Sequence, residues 1–182
     1  VINVLNNIGG NDMSKKYKMS SAQKRLYVIE QMNQPNILYN IPSILKIEGD
    51  MDLAQLQNAV NQLCMRHELL RTHFDQSLDK YYQIVEESVE IKVEYEGNMG
   101  QSLQEIFNTF VQPFDLSKAP LMRIKIVKTK EGSILLLDIH HIICDGGSMG
   151  VLFGDLSELY DGNYLPELQV QYKNFSYWQD SQ

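Results

Sequence analysis

The most constraining feature of this sequence is an apolar run that ends in two adjacent histidines and a glycine turn. Residues 134–140 are rich in Ile and Leu and have the length of one buried strand. After His141 the chain passes through a turn with two glycines, residues 145–148, and then becomes amphipathic. Apolar residues recur there at helical spacing, namely Met149, Leu152, Phe153, Leu156 and Leu159. The stretch therefore predicts a strand, a tight turn and a helix.

The two histidines are predicted to point in opposite directions. Because side chains alternate along a strand, His141 shares a face with Leu137 and Ile139, whereas His140 shares the other face with Asp138. His141 would then lie beside an apolar wall, where a neutral imidazole can act as an acid, a base or a hydrogen-bonding partner. A histidine in such a strand is more often a core residue than a catalyst, so the pattern alone leaves both interpretations open.

Composition limits the classes of partner. The 182 residues suffice for one domain or for one lobe of a larger domain. A net charge of −7 without a basic cluster argues against nucleic acid. No apolar run is long enough to span a membrane and no signal peptide is apparent, and two cysteines make no disulfide framework, so we expect a cytoplasmic protein. No metal is predicted, because adjacent strand histidines cannot both reach one ion.

The predicted elements alternate between helices and strands. Residues 1–18 have no sustained periodicity and carry Asn-Asn and Gly-Gly pairs, so we interpret them as a linker from an upstream domain of a longer chain. Helices are predicted from Ser20 or Ser21 to about Met32, after an Asp52 cap, and over 103–110. Strands are predicted over 39–48, 69–74, 82–85, 89–95, 121–129 and 134–141, with 82–85 and 89–95 as one hairpin and the last two as another. Helices on a mixed sheet indicate the α/β (α+β) class.

Four segments resemble the motifs of one family. The stretch His140-His-Ile-Ile-Cys-Asp-Gly146 matches HHxxxDG, Ser21-Ala-Gln-Lys-Arg-Leu-Tyr27 matches SxAQxRL(W/Y), and 66–74 matches RHExLRTxF. Residues 172–178 resemble YxDFAxW, with Asn174 where Asp is usual. All four follow the family's order, so the chain is identified as a member of the condensation domains of non-ribosomal peptide synthetases, in the chloramphenicol acetyltransferase-like superfamily.

The resemblance implies a fold and a reaction. Residues 19–182 would form the N-terminal subdomain of a two-lobe domain, with the C-terminal subdomain absent, and this chain alone would be inactive. The reaction would be amide-bond formation between a donor acyl or peptidyl thioester and the amine of an acceptor aminoacyl thioester. Both substrates would hang from phosphopantetheine arms on donor and acceptor peptidyl carrier domains, beside an adenylation domain, and no cofactor would bind directly. Thr72 also favours a donor of L configuration.

The resemblance also implies roles for residues. His141 would be catalytic as a general base, as an orienting group for the amine or as a stabiliser of charge, and the sequence does not choose among these. His140, Asp145 and Gly146 would support it, Asp145 by pairing with an arginine that the sequence does not identify and that could belong to the absent half. Gly146 would let a backbone N–H approach a developing oxyanion. Three arginines are candidates for structural ion pairs, Arg25, Arg66 and Arg71.

Two rival functions remain open at this point. An epimerization domain of the same superfamily would use the same histidine, although the first two motifs favour condensation. A non-catalytic docking or interaction domain would be expected to lose the second histidine, and His141 is present.

Overall fold

The computed structural model describes residues 15–33, 35–49, 51–97, 102–130 and 132–182. A short 3₁₀ helix (Glu68–Arg71) lies between the second helix and the third strand. The strands and α-helices follow in this order: β1 (Lys15–Lys18), α1 (Ser21–Met32), β2 (Asn40–Ile47), α2 (Leu53–Arg66), β3 (Thr72–Ser77), β4 (Lys80–Val85), β5 (Val93–Gly97), α3 (Leu103–Phe110), β6 (Met122–Thr129), β7 (Gly132–His140), α4 (Gly146–Tyr160) and α5 (Tyr172–Asp180).

Two sheets organise the described residues. The smaller has the order β1-β4-β3 and the larger the order β2-β7-β6-β5. In the larger sheet β7 pairs antiparallel with both β2 and β6, whereas β5 runs parallel to β6. This mixed sheet with its helices confirms the predicted α/β (α+β) class.

Strand β7 is apolar because helices cover both of its faces. Leu135, Leu137 and Ile139 join the main core together with the inner faces of α2 and α4. On the opposite face, Leu136 packs with Ile106 and other residues of α3. A strand covered on both faces reads as a continuous apolar run, which explains the sequence pattern over 134–140.

Local capping signals are confirmed by the helix starts. Ser20, not Ser21, caps α1, and its side chain forms a reciprocal capping box with Gln23. Asp52 caps α2 as predicted and accepts hydrogen bonds from the N–H groups of Ala54 and Gln55. None of the helices in the described part of the chain is both long and apolar enough to cross a membrane.

Three predicted elements are corrected. Residues 15–18, assigned to the linker, form β1, while residues 1–14 of that linker lie outside the described residues. Residues 82–85 and 89–95 are not a hairpin, because β4 pairs with β1 and β3, and β5 pairs with β6 in the other sheet. The extended stretch 69–74 begins as a 3₁₀ turn. The first two errors concern strand partners distant in sequence, which an alternating pattern does not specify. The third is a local turn, in which the Leu70 N–H donates to the carbonyl of His67 at 3.0 Å.

Candidate functional site

The end of β7 and the start of α4 place His141 at a shallow cavity. The side chain of His141 is exposed, and its backbone N–H donates to the carbonyl of Tyr39 at 2.8 Å. The cavity has a volume of about 180 Å³. Its other lining residues are Ala22, Gln23, Leu26, Leu69, Ile142, Ile143, Cys144, Asp145, Ser148 and Tyr172. His141 therefore lies beside a largely apolar wall.

All four motif segments contribute to this cavity. The first supplies Gln23, the second Leu69, the third His141 and the fourth Tyr172. These residues are far apart in the sequence and belong to different elements of the fold, so only the tertiary structure brings them together. Their convergence on one imidazole marks this cavity as the candidate active site.

His140 has the opposite environment from its neighbour. The residue is 0% exposed, and its Nδ1 accepts the backbone N–H of Ile142 at 3.1 Å. Its own backbone N–H donates to the carbonyl of Leu121 at 3.0 Å. Burial, together with the nearby His141, lowers the pKa of His140 from 6.5 to about 4. The ring is therefore neutral at physiological pH and serves the backbone rather than a substrate.

A carboxyl group faces His140 from helix α1. Glu30 is 1% exposed, and its Oε2 lies 3.8 Å from Nε2 of His140. Its other oxygen accepts a hydrogen bond from Asn36 at 3.2 Å. Burial raises the pKa of Glu30, an effect that the Asn36 hydrogen bond only partly offsets. Sequence reasoning missed Glu30, because a helical glutamate is ordinarily a solvated residue.

The partner of Asp145 among the described residues is Ser148. It is the N-cap of α4, and its Oδ1 accepts the backbone N–H of Ser148 at 2.8 Å and the Ser148 hydroxyl at 2.6 Å. Those two hydrogen bonds lower the pKa of the Asp145 carboxyl. No arginine of the described ranges lies within 4.0 Å of it. Because the side chain is exposed, water and the helix N-terminus stabilise its charge without a cation.

Gly146 and Cys144 flank this cap. Gly146 is the first residue of α4, and a Cβ added there would meet no atom of the chain within 4 Å. The described residues therefore do not require glycine at this position for space. Burial raises the pKa of the Cys144 thiol to about 11, so it is protonated and is not a nucleophile.

Arg66 forms a charged cluster with the helix α4. Its Nε lies 2.8 Å from Oδ2 of Asp155, which His67 Nε2 also contacts at 2.7 Å. Burial raises the pKa of Asp155, but the hydrogen bonds and charges of Arg66 and His67 outweigh burial and lower it. This cluster joins the end of α2 to α4. Arg66 was a candidate for an ion pair, but its partner was not predicted, because Asp155 lies outside every motif.

The other two arginines have no carboxylate partner among the described residues. Arg71 is buried and donates to backbone carbonyls, including those of Cys64 at 3.1 Å and Glu86. Arg25 is exposed on α1 and no ion pair includes it. Their role as ion-pair residues therefore stays a prediction, with no partner among the described residues. For Arg71, carbonyl oxygens at the end of α2 supply the acceptors that a carboxylate would otherwise provide.

Two cavity residues were not predicted as functional. Gln23 is 2% exposed and its Nε2 has no hydrogen-bond partner within the described residues. Tyr172 lies within hydrogen-bonding distance of Ser20, with 2.9 Å between the two hydroxyl oxygens. Both belong to motif segments, which was the one available signal. Within the ranges described, no group of three or more His, Cys, Asp or Glu side chains is arranged to hold a metal ion.

The condensation-domain family model matches residues 13–182. The chain belongs to this family. It is 42% identical over 167 residues to surfactin synthase subunit 2 of Bacillus subtilis, a match that covers 91% of this chain and 5% of that protein. It is 44% identical over 164 residues to bacitracin synthase 3 of Bacillus licheniformis, covering 90% of this chain and 3% of that protein.

Solved structures share the fold of this condensation-family chain. The X-domain from teicoplanin biosynthesis has a TM-score of 0.81 at 21% identity, covering 96% of this chain and 39% of the other. The first condensation domain of the calcium-dependent antibiotic synthetase, solved with a substrate analogue, has a TM-score of 0.78 at 20% identity, covering 91% and 43%. These likenesses confirm the expected chloramphenicol acetyltransferase-like fold.

Replacing Asp145 tests its role as a cap. Asp145→Ala is expected to lower the free energy of unfolding by about 1 kcal/mol, because it removes an exposed N-cap. Asp145→Asn is expected to retain most of the stability, since its amide oxygen can still accept from Ser148. Denaturant unfolding measures both. A loss of about 3–5 kcal/mol would instead indicate the predicted arginine pair.

The burial of neutral His140 predicts a pH-dependent stability. Between pH 6.5 and about 4 the unfolded chain binds a proton at this residue and the folded chain does not. The stabilisation is therefore complete above pH 6.5 and is lost as the pH falls toward 4, by about 3 kcal/mol.

The variant His140→Asn isolates the contribution of His140 protonation to the pH dependence of stability. Its amide oxygen can accept the Ile142 N–H, but the amide does not titrate. The comparison is made in a Glu30→Gln background, because Glu30 lies 3.8 Å from Nε2 of His140 and its own titration would change with the substitution. We expect the unfolding free energy of the variant to fall less steeply from pH 7 to 4. Equal pH dependence of the two proteins would contradict the assignment.

Proposed function

We propose that this chain supplies the histidine-bearing half of a domain that forms an amide bond. The donor is an acyl or peptidyl thioester, and the acceptor is the amine of an aminoacyl thioester. The observation that carries the proposal is the convergence of four motif segments on the cavity that holds His141. Membership of the condensation family supports it.

The proposed reaction requires a free amine next to a thioester carbonyl. The amine nitrogen attacks the carbonyl carbon, the C–N bond forms, the C–S bond breaks, and one amine proton passes to the departing thiolate. We propose that the imidazole of His141 accepts a hydrogen bond from the amine and so directs its lone pair at the carbonyl. The exposed ring at the end of a rigid strand suits this positioning role.

The proposed substrates arrive on carrier domains. Their phosphopantetheine arms are parts of the substrates rather than cofactors of this chain. Relatives that are peptide synthetases, such as tyrocidine synthase 2 of Brevibacillus parabrevis, support carrier and adenylation domains as partners. The apolar wall beside His141, formed by Ala22, Leu26 and Leu69, would contact the thioester on one side and limit water there once the site is closed.

Catalysis is favoured over a docking function by the site itself. One fold neighbour, the X-domain from teicoplanin biosynthesis, has been solved in complex with OxyB, and its 20% identity supports fold alone. A domain used only for docking needs no accessible imidazole at the meeting point of four segments. Here the imidazole of His141 is exposed, whereas the adjacent His140 is buried.

Removing the imidazole tests the proposal. In the complete synthetase, His141→Ala is expected to reduce amide formation by about 10²–10⁴-fold while the melting temperature stays the same, because the side chain is exposed. Product transferred between loaded carriers is measured by mass spectrometry. His73→Ala is the matched control, because His73 lines a different surface depression. Wild-type transfer by His141→Ala would refute a catalytic role.

We further propose that this chain alone does not catalyse the reaction. It spans 3–5% of the length of the synthetases named above and 39–43% of the two solved chains, and its cavity is open to solvent. Two arms that are not aligned lose a positioning benefit of up to about 7–11 kcal/mol. Mixing the chain with loaded carriers is expected to give no amide product. Turnover near that of a whole domain would show that these residues complete the site.

A further inference from the structure

An unpaired donor and an unpaired acceptor face each other behind the candidate active site. Nε2 of His140 and Oε2 of Glu30 are 3.8 Å apart, and neither has a hydrogen-bond partner among the described residues. Both side chains are 1% exposed. A buried polar atom without a partner costs about 1–3 kcal/mol, so two at one place need an explanation.

The hydrogen bond to Ile142 fixes which ring nitrogen of His140 carries the proton. Because Nδ1 accepts the Ile142 N–H, Nδ1 has no proton, and the proton of the neutral ring lies on Nε2. Oε2 of Glu30 lies 3.8 Å from this nitrogen, which is less than 1 Å beyond hydrogen-bonding range, so a small shift of α1 against β7 would complete the bond.

The same ring holds the backbone around His141. Its Nδ1 accepts the N–H of Ile142, the residue that follows His141. The carbonyl of His140 accepts the N–H of Ile143 at 3.1 Å. A rotation of the His140 ring would release the Ile142 N–H and with it the turn that presents the His141 imidazole.

The segment before β2 connects Glu30 to His141 from the other side. Asn36 donates to Oε1 of Glu30 at 3.2 Å, and its own Oδ1 accepts the N–H of Leu38 at 2.8 Å. The next residue, Tyr39, accepts the backbone N–H of His141 at 2.8 Å. Glu30 therefore accepts a hydrogen bond from the segment 36–39 and lies 3.8 Å from the His140 ring. These are the two features that hold the backbone of His141.

We propose that Glu30 is a positioning residue, which holds the His140 ring in the tautomer and orientation that fix the backbone on either side of His141. This inference rests on the proposed function of His141. A methionine would fill the same volume without burying a carboxyl, so packing alone does not account for an acid here. What an acid adds is an acceptor for the Nε2 proton.

Two substitutions of Glu30 separate the effect of its hydrogen-bond acceptor from the effect of its side-chain volume. In the complete synthetase, Glu30→Met keeps the volume and removes the acceptor, and Glu30→Gln keeps an amide oxygen. We expect kcat for amide formation to fall on the order of 10²-fold in Glu30→Met, with KM for the loaded carriers little changed. Glu30→Gln is expected to restore most of kcat.

The matched control lies on the same helix. Tyr27 is also buried on α1, and its ring packs edge-on against Tyr81. Tyr27→Leu is expected to lower the melting temperature while kcat stays near that of the wild type. The proposal is overturned if Glu30→Met has the kcat of the wild type, or if kcat falls with melting temperature alike in all three variants.

A second readout does not depend on amide formation. Diethyl pyrocarbonate modifies accessible imidazoles, and peptide mass spectrometry gives the rate at His141 relative to His73. We expect Glu30→Met to change the His141 rate and Glu30→Gln and Tyr27→Leu to leave it unchanged. An unchanged rate in Glu30→Met overturns the positioning role. If the wild-type synthetase forms no amide, the proposed function fails, and this measurement still decides the role of Glu30.

Discussion

The rest of the structure depends on strand β7, which is hydrogen-bonded on both edges and buried on both faces. Strands β2 and β6 pair with it along its length, and the helices α2, α4 and α3 cover its faces. Such a strand has few ways to move, so its carboxyl end is held firmly in place. The chain places its exposed imidazole there. A rigid scaffold that ends at an open cavity is the arrangement that a positioning catalyst needs.

The two adjacent histidines at the end of β7 differ in their surroundings and in what their rings contact. His141 leaves the sheet toward the cavity, while His140 turns inward and accepts a backbone N–H. The inward ring is neutral because burial disfavours its charged form. The two side chains have the same chemistry, and only their surroundings make one available to a substrate and the other a support for the backbone.

The three carboxyl groups around the site also differ in burial and in the partners that contact them. Asp145 is exposed and needs only a helix N-terminus and a serine. Asp155 is partly buried and receives both Arg66 and His67. Glu30 is fully buried and has an amide and a neutral ring. The exposed carboxylate needs no cation, the partly buried carboxylate is paired with cations, and the fully buried carboxyl has a raised pKa.

The sequence by itself determined the features that a few neighbouring residues encode. These are the buried strand 134–140, the opposite directions of its histidines, the Asp52 cap and the motifs that indicate the condensation family. The tertiary structure decided everything that depends on a distant partner: β5 beside β6 instead of β4, Asp155 opposite Arg66, and Glu30 against His140. The physical reason is that caps and side-chain periodicity arise within a turn or two of backbone. Strand pairing and buried polar contacts are chosen by the packing of the whole chain.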